Sequence, residues 1–488
     1  MSKQNLIKTI KLLIVAIVTL TLWLMPVDSF GIEGLTVIQQ RMIAIFAFAA
    51  VMWILEAVPA WVTSVLIIVL MLFTVSDSAI ASLIDVANYP GQTTVNDKGV
   101  EQLTGIIGYK DIMSAFADPT VMLFLGGFVL AAMASKFGVD VTLARAILGC
   151  FGKSPKVQLL GFMLVTAIFS MFISNTATAA MMLTFLAPVF RELPTHEKGR
   201  IALALAIPIG ANIGGIGTPI GTPPNGIALG ALKDAGINIG FLDWAMVMTP
   251  LMIVILLVSW VVLLTIYPFK SKELEIKIEG RAEKNWKTYA VYIVLALTII
   301  LWCGEKAFGI NSYVVALFPV AAFTALGLAS GEDIKGLDWP VLWMVAGGFA
   351  LGTGMKKSGL AEALVTSIPF STWNVFAVVI GAGLICWLLS TFISNSASAA
   401  LMVPILVTVG TGMSEQLAPF GGITTLVVGI ALSASFAMAL PISTPPNAIA
   451  YSTGLVSTKQ MAKAGLIVGV LSLTLGYSLL FLFGKSLF

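Results

Sequence analysis

The chain has 488 residues, of which 58% are hydrophobic and only 10% are charged, and its mean hydropathy is +1.00. Soluble globular proteins carry roughly 25% charged residues, so this composition excludes an ordinary water-soluble globule, and the small net charge of +3 gives no reason to expect a nucleic acid partner. Apolar runs of about 20 residues recur and match bilayer-spanning helices, whereas the ten-residue alternation of a membrane β-barrel is absent. The sequence therefore predicts an all-α polytopic membrane protein.

The first predicted span, residues 1–30, begins with a basic terminus. Lys3, Lys8 and Lys11 place the amino terminus in the cytoplasm, because basic residues are enriched on the cytoplasmic side of membranes. The long segment 76–118 holds only two lysines and is expected outside. Further spans of this half are predicted at 38–55, 60–75 and 119–135.

Residues 157–190 carry no charge, and the motif ISNTATAA lies in their middle. Basic residues stand at both ends, so the stretch is expected to enter and leave the membrane on the cytoplasmic side. This predicts a re-entrant helical hairpin with Ser174 to Thr176 at its tip. Lipid does not tolerate an exposed turn at that depth, so the tip must be buried in protein or line a wet cavity. Two short ordinary spans are the alternative.

A second unusual segment, 201–230, contains GGIGTPIGTPPNGIALG. Prolines cannot continue a helix without lost hydrogen bonds, so this segment predicts one crossing that is broken at its centre. A span at 244–267 follows. The loop KSKELEIKIEGRAEKNWK then holds six of the chain's 27 Lys and Arg residues. We interpret 268–287 as a cytoplasmic linker between two repeats, 31–267 and 288–488.

The second half presents the same features in the same order. A charge-free stretch at 375–409 predicts a second hairpin, and ALPISTPPNAIA within 423–453 predicts a second broken crossing. The last crossing, 464–484, is expected to leave the carboxy terminus outside the cell membrane. The spans before the second hairpin are predicted at 288–308, 312–329 and 340–355.

Three pairs of matching segments show that the two halves are repeats. Their first residues are 221, 220 and 222 positions apart, so little has been inserted between them. An odd number of crossings separates the halves, which inverts the second repeat. Inverted repeats with broken helices and a site at their interface are typical of secondary transporters. The pairs are PTVMLFLGGFVLA (119–131) with PVLWMVAGGFALG (340–352), FISNTATAAMM (172–182) with FISNSASAALM (392–402), and PIGTPPNGIA (219–228) with PISTPPNAIA (441–450).

Hairpin tips and helix breaks release backbone groups near the membrane midplane. Free N–H groups at helix starts bind anions, whereas free carbonyls with Ser, Thr and Asn oxygens bind hard cations. Residues 174–176 with 221–225 form one predicted half-site, and 394–396 with 443–447 form the other. These segments carry no charge, so a bound anion would meet neutral donors, which favours coupling to a cation.

Other interpretations explain the motifs less well. A single TPPN could be a simple kink and a single SNT a helix contact, but four copies in symmetric pairs favour a binding site. The sequence holds no GxSxG, HExxH or Walker loop, and its one histidine, His196, lies in a polar loop, so we expect no enzyme. A passive channel would need a continuous polar stripe, which the sequence lacks.

At these residues the sequence resembles the divalent anion:sodium symporter family, the INDY-type di- and tricarboxylate transporters. The resemblance covers nearly the whole chain. It implies a homodimer with about eleven crossings and two re-entrant hairpins per protomer. It also implies a scaffold made of the early spans of each half, and a transport domain of hairpins and broken helices that moves as a rigid elevator.

The resemblance further implies the residues of the site. Substrate carboxylates would contact Asn175, Thr176, Thr222, Asn395, Ser396 and Thr444, with Pro223 and Pro445 shaping the pocket. The first sodium site would use Ser170, Ser174, Asn175 and Gly221, and the second Ser390, Ser394, Asn395 and Ser443. No cofactor other than sodium ions is implied. One departure is Ser396, which lacks the methyl group of a threonine.

Two functions follow from this resemblance. The first is sodium-coupled uptake of a C4 or C5 dicarboxylate such as succinate, fumarate, malate or 2-oxoglutarate, with membrane lipid as the only other partner besides a second copy of the chain. The alternative is sodium-independent antiport of one dicarboxylate for another, because the family also contains such exchangers. A transporter of neutral solutes would show no competition by dicarboxylates.

Overall fold

A computed structural model of the protein describes residues 3–96, 98–194, 197–274 and 282–487. His196 and part of the predicted linker, residues 275–281, lie outside the described residues. The described chain is helical apart from one two-stranded antiparallel sheet, in which β1 (Thr93–Val95) pairs with β2 (Glu101–Leu103). This small sheet was not expected from the sequence.

The first half contains twelve helices in its described part. Three of the longer ones, α6, α8 and α11, begin with proline, whose missing N–H costs nothing at a helix start. The helices are α1 Lys3–Leu24, α2 Val37–Leu55, α3 Ala60–Thr74, α4 Ala81–Ile84, α5 Tyr109–Ser114, α6 Pro119–Lys136, α7 Val139–Leu148, α8 Pro155–Ser170, α9 Asn175–Glu192, α10 Gly199–Gly214, α11 Pro223–Asp234 and α12 Phe241–Ile266.

The second half repeats the order of long elements. They are α13 Trp286–Cys303, α14 Glu305–Phe308, α15 Ser312–Val315, α16 Leu317–Ala325, α17 Gly331–Lys335, α18 Trp339–Lys357, α19 Leu360–Ser367, α20 Val375–Phe392, α21 Asn395–Gly412, α22 Ser414–Leu417, α23 Ile423–Ser435, α24 Pro445–Ser452 and α25 Thr458–Leu487.

Two helical hairpins are present, α8 with α9 and α20 with α21, and the arms of each pack on one another. The SNT and SNS motifs lie where the second arm begins. Ser174 and Ser394 are the N-cap residues there, and their hydroxyls accept hydrogen bonds from the backbone N–H groups of Ala177 at 3.3 Å and Ala397 at 3.2 Å. Each polar motif therefore starts a helix at a hairpin tip that is half-buried or exposed in the single chain.

Two broken helices are also present. The chain leaves helical geometry between α10 and α11, at residues 218–222, and between α23 and α24, at residues 437–444. Thr222 and Thr444 are the N-cap residues of the second segments. The prolines of each TPPN motif therefore occupy the first turn of a new helix, where proline is tolerated, and do not kink a continuous one.

Among the described residues, nine helices are long and apolar enough to cross a membrane, or up to ten if the bent pair Ser414–Phe420 and Ile423–Ser435 counts as one span. The resemblance implied about eleven crossings. The count by length differs partly because two predicted spans are short helical segments, Ala60–Thr74 and Ser312–Ala325. The fold class, an all-α polytopic membrane protein with two hairpins and two broken helices, is confirmed.

The early spans of each half pack against the other half. Helices α2 and α3 contact α18, whereas α13, α15 and α16 contact α6; we call these seven helices the crossed-span group. Glycine makes both contacts possible. A Cβ on Gly347 of α18 would lie 2.3 Å from Ser64 Cβ, and one on Gly126 of α6 would lie 1.9 Å from the Ala316 carbonyl oxygen. These glycines are the first of the repeated GGF sequence, so the repeat carries a packing function.

The hairpins and broken helices form a second set of packed elements, which we call the hairpin bundle: α8 to α12, α20, α21 and α23 to α25. Helix α10 lies at its centre: 89% of the residues in its most apolar 18-residue stretch are buried, compared with 6% in that of α1. An apolar helix that is buried on all sides belongs in a protein core. The first helix break, at residues 218–222, is therefore buried within the hairpin bundle, whereas the second is partly exposed at Ile442.

Candidate functional site

One cavity of about 270 Å³ lies where the two hairpin tips meet the two helix breaks. It is lined by residues from both repeats, although these are more than 200 positions apart in the chain. All eight residues predicted to contact or shape a substrate line this cavity: Asn175, Thr176, Thr222, Pro223, Asn395, Ser396, Thr444 and Pro445. Six of the eight residues predicted to bind sodium line it, whereas Ser170 and Ser390 do not; the six are Ser174, Asn175, Gly221, Ser394, Asn395 and Ser443.

Four helices begin at this cavity. Helices α9 and α21 begin at the hairpin tips, and α11 and α24 begin at the breaks. The first N–H groups of α9 and α21 lack partners within their helices. Helices α11 and α24 begin with two prolines, which carry no N–H, so these two starts contribute mainly the partial positive charge of the helix dipole. Four helix starts around one cavity make an environment that favours an anion without any basic side chain.

The opposite wall of the cavity belongs to the crossed-span group. Trp61 of α3, Phe124 and Phe128 of α6, and Val341 and Met344 of α18 make it largely apolar. The polar atoms are therefore concentrated on the hairpin bundle.

Asp338 is the one ionisable residue among the described residues that line the cavity, and the sequence analysis did not select it. It precedes α18 directly. No Lys, Arg or His is part of the described lining, so an anion in the cavity would be held by neutral donors, helix starts and bound cations.

The asparagines of the two TPPN motifs bridge the helix breaks and are absent from the described cavity lining. Asn225 Nδ2 donates to the carbonyl oxygens of Gly215 at 2.9 Å and Thr218 at 2.8 Å. Asn447 Nδ2 donates in the same way to Met438 at 2.8 Å and Leu440 at 2.9 Å. The sequence analysis placed both asparagines in the half-sites. Their amides instead satisfy carbonyls that the breaks release, since buried carbonyls need partners.

The first predicted sodium site is a compact cluster of oxygens. Ser170 is buried behind the hairpin tip, and its hydroxyl oxygen lies 2.7 Å from the Ala211 carbonyl oxygen and within hydrogen-bond distance of Asn175 Oδ1, although its single hydrogen can be donated to only one of them. A Cβ on Gly221 would lie 2.4 Å from the Gly215 carbonyl oxygen, and one on Gly215 would lie 3.0 Å from Asn175 Oδ1. Amide and carbonyl oxygens at such close range fit a hard cation.

The second predicted sodium site contains two oxygens without partners. Ser390 Oγ and Asn395 Oδ1 are buried and make no hydrogen bond with any described residue. The Ser443 hydroxyl is already engaged, because it donates to the Thr391 carbonyl at 2.7 Å and accepts from Leu440 N at 3.1 Å. A buried oxygen without a partner is costly, and a bound cation would remove that cost. The residues present therefore fit a sodium ion.

Asn212 is a cavity residue that the sequence analysis missed. It lies near the end of α10, and its amide nitrogen is 3.2 Å from both Thr444 Oγ1 and Asn447 Oδ1. It thereby links the first broken helix to the second. A search based on repeats could not find it, because the equivalent residue of the second half is Ala434. The available signal was an amide in an otherwise apolar segment.

Larger cavities occur elsewhere, of about 960 Å³, 610 Å³ and 410 Å³. The first lies between α2 and the second hairpin, and apolar side chains form nearly all of its lining. The second lies between α11, α18 and α21 and contains Asp234, Lys356, Lys357 and Glu362. Neither of these two includes a hairpin tip or a helix break. The third lies beside Lys8 and Glu56 and includes Ser394 of the second tip. The 270 Å³ cavity is therefore the one whose described lining joins both tips and both breaks.

Residues 50–429 match the family model described as citrate transporter. The chain belongs to the citrate transporter family. This confirms the resemblance to the divalent anion:sodium symporters and identifies the chain as a multi-pass membrane transporter protein.

Curated proteins similar to this chain are named for different substrates. A Caenorhabditis elegans protein named sodium-dependent high-affinity dicarboxylate transporter 3 is 31% identical over 436 residues, covering 76% of this chain and 75% of its own. A Saccharomyces cerevisiae inorganic phosphate transporter is 30% identical over 85% of this chain, and an uncharacterized transporter of Schizosaccharomyces pombe is 30% identical over 92%. The chain spans only 43% and 50% of the lengths of these two relatives.

Solved structures share the fold of this citrate transporter family member at low sequence identity. The YdaH transporter of Alcanivorax borkumensis, described as having an unusual topology, aligns with a TM-score of 0.54 at 12% identity, covering 87% of this chain and 98% of its own. At that identity the likeness concerns the fold alone.

Proposed function

We propose that the protein is a secondary active transporter of C4 and C5 dicarboxylates, the class of succinate, fumarate, malate and 2-oxoglutarate. One observation carries this proposal: two equivalent sets of neutral donors, one from each repeat, line the same cavity. A dicarboxylate has two anionic ends, and each set would bind one of them. The name of the Caenorhabditis elegans relative supports this substrate class.

Sodium-coupled symport is the proposed mode of coupling. The oxygen cluster around Asn175 and the unpartnered oxygens of Ser390 and Asn395 would each hold one sodium ion beside the cavity. A dianion among neutral donors needs compensating charge inside a membrane, and two sodium ions would supply it. Sodium binding would also fix the hairpin tips, because the same residues start α9 and α21.

An elevator movement is the proposed mechanism. The donors for substrate and sodium belong to the hairpin bundle, whereas the facing wall is largely apolar and belongs to the crossed-span group. The hairpin bundle could therefore carry substrate past that wall without exchanging hydrogen bonds. We further propose a homodimer in the cell membrane, with a cytoplasmic amino terminus and an external carboxy terminus; native mass spectrometry and cysteine labelling of the two termini would test this arrangement.

Succinate flux in proteoliposomes tests the proposed function. Uptake of labelled succinate is measured with an inward sodium gradient, and again with sodium replaced by choline, each with and without internal dicarboxylate. Symport predicts uptake that requires external sodium and proceeds without internal substrate. Unlabelled fumarate and malate should compete, whereas a neutral solute such as glucose should not.

Three results would contradict the proposal in different ways. Uptake that persists in choline but needs internal dicarboxylate would replace symport by antiport. Phosphate uptake that dicarboxylates do not inhibit would move the substrate class toward that of the yeast relative. Uptake of a neutral solute, with no competition by dicarboxylates, would exclude the anion site altogether.

A further inference from the structure

The two repeats differ at one buried amide beside the cavity. The side chain of Asn212 lines the cavity and is only 2% exposed. The motifs PIGTPPN and PISTPPN are 222 positions apart, and the residue 222 positions after Asn212 is Ala434. Helix α23 has serines on both sides of Ala434 but no Asn or Gln, so the first repeat supplies an amide here that the second lacks.

The hydrogen-bond partners of Asn447 fix which atom of Asn212 faces it. Asn447 Nδ2 donates to the carbonyl oxygens of Met438 at 2.8 Å and Leu440 at 2.9 Å, and backbone carbonyls only accept. Asn447 Oδ1 must therefore be the atom that faces Asn212. The atom of Asn212 that lies 3.2 Å from it must then be the donor, Nδ2.

The same nitrogen of Asn212 donates to Thr444 Oγ1 at 3.2 Å. Thr444 Oγ1 also accepts from the backbone N–H of Asn447 at 3.3 Å. A hydroxyl has two lone pairs and one hydrogen, and here both lone pairs are engaged. Thr444 lines the cavity and donates to no described residue, so its hydrogen is left to point at a ligand.

The first half lacks this constraint. Thr222 caps α11 without a side-chain hydrogen bond, so its hydroxyl is free to turn toward a donor or an acceptor. Asn225 Oδ1, the counterpart of the atom that Asn212 contacts, is buried without a partner among the described residues. Helix α23, which carries Ala434, packs on α11 and offers no amide at the equivalent position.

We propose that Asn212 is a positioning residue that makes the Thr444 hydroxyl a fixed hydrogen-bond donor. The Thr444 end of the cavity would then select an ionised carboxylate, which only accepts. The Thr222 end would accept a carboxylate, a hydroxyl or an amide, and would set the tolerance for the second end of the substrate. This inference rests on the proposed dicarboxylate function.

A double-mutant cycle on the full-length protein tests the role of Asn212. Succinate affinity is measured by titration calorimetry in sodium chloride for Asn212→Ala, Thr444→Val and the double variant. Each single change should weaken binding about tenfold, the usual effect of losing a hydrogen bond to a charged group. The double variant should bind no more weakly than Thr444→Val alone, because Asn212 acts through that hydroxyl.

Thr222→Val provides the matched control, since Thr222 makes no hydrogen bond with Asn212. In a variant that combines Thr222→Val with Asn212→Ala, the fold-losses of succinate affinity from the two changes should multiply. Asn212→Asp keeps the side-chain size but accepts the hydrogen of Thr444, so it should bind succinate more weakly than Asn212→Ala does. Melting temperatures of all variants identify any that fail to fold.

The outcomes distinguish a failure of the role proposed for Asn212 from a failure of the proposed dicarboxylate function. If the losses of succinate affinity caused by Asn212→Ala and Thr444→Val multiply in the double variant, the role of Asn212 is wrong. The same holds if Asn212→Asp binds succinate with wild-type affinity. Either result would leave the proposed function unaffected. A wild-type protein that binds no dicarboxylate would overturn the proposed function and this inference together.

Discussion

Single residues of the repeated motifs divide into those that stabilise the backbone and those that face the cavity. Ser174 and Ser394 cap helices, and Asn225 and Asn447 bridge breaks. The sequence could predict where helices break, because proline, serine and asparagine have known preferences at helix starts. It could not predict that the TPPN asparagines turn away from the cavity, because spacing alone does not give the direction of a side chain.

The contrast between Ser390 and Ser170 gives a prediction about sodium. Ser390 Oγ has no partner among the described residues, whereas the Ser170 hydroxyl donates to the Ala211 carbonyl. Ser390→Ala should raise the sodium concentration for half-maximal succinate uptake several-fold and leave the melting temperature in sodium-free buffer nearly unchanged. Ser170→Ala should also raise this sodium concentration. Unlike Ser390→Ala, it should lower the free energy of unfolding by about 1 kcal/mol, because a buried hydrogen bond is lost.

Uptake kinetics at varied sodium and thermal unfolding in detergent measure the two effects. A normal sodium dependence in Ser390→Ala would remove this residue from the second sodium site.

At the scale of helices, the repeat places each structural device twice. Four helices begin at one cavity, and two glycines at equivalent positions let α6 and α18 approach the spans of the opposite half. The sequence contained the GGF match but not its role, because a repeated glycine is compatible with a turn, a bend or a close contact. Only the packing of α18 on α3 distinguishes these possibilities.

Two glycines of α18 provide a matched test of that packing. A Cβ on Gly347 would lie 2.3 Å from Ser64 Cβ, whereas Gly352 has no atom within 4 Å of an added Cβ. Gly347→Ala should lower the free energy of unfolding by about 1–3 kcal/mol, the usual cost of overpacking. Gly352→Ala should be neutral or stabilising by up to about 1 kcal/mol, because alanine favours helix. Equal melting temperatures for the two variants would contradict the close contact.

At the scale of the whole molecule, the fold class followed from composition and spacing because a lipid environment leaves few alternatives to helices. The number of long helices, the small sheet of β1 and β2 and the crossed packing of the two halves did not follow. Helix lengths near the bilayer thickness are hard to divide by composition, and packing between segments far apart in the chain leaves little trace in a single sequence. The meeting of both half-sites at one cavity is the feature that joins the sequence repeat to transport.

The most direct test of this joint site is transport by variants of equivalent residues in the two halves. Asn175→Ala and Asn395→Ala are compared for sodium-driven succinate uptake in proteoliposomes, with Asn374→Ala, an exposed helix cap at the far end of the second hairpin, as the control. We predict that each cavity variant loses at least about 90% of uptake while remaining folded, since each removes a polar side chain at the centre of one of the two donor sets, and that the control transports normally. Near-normal uptake by either cavity variant would contradict a single site shared by both repeats.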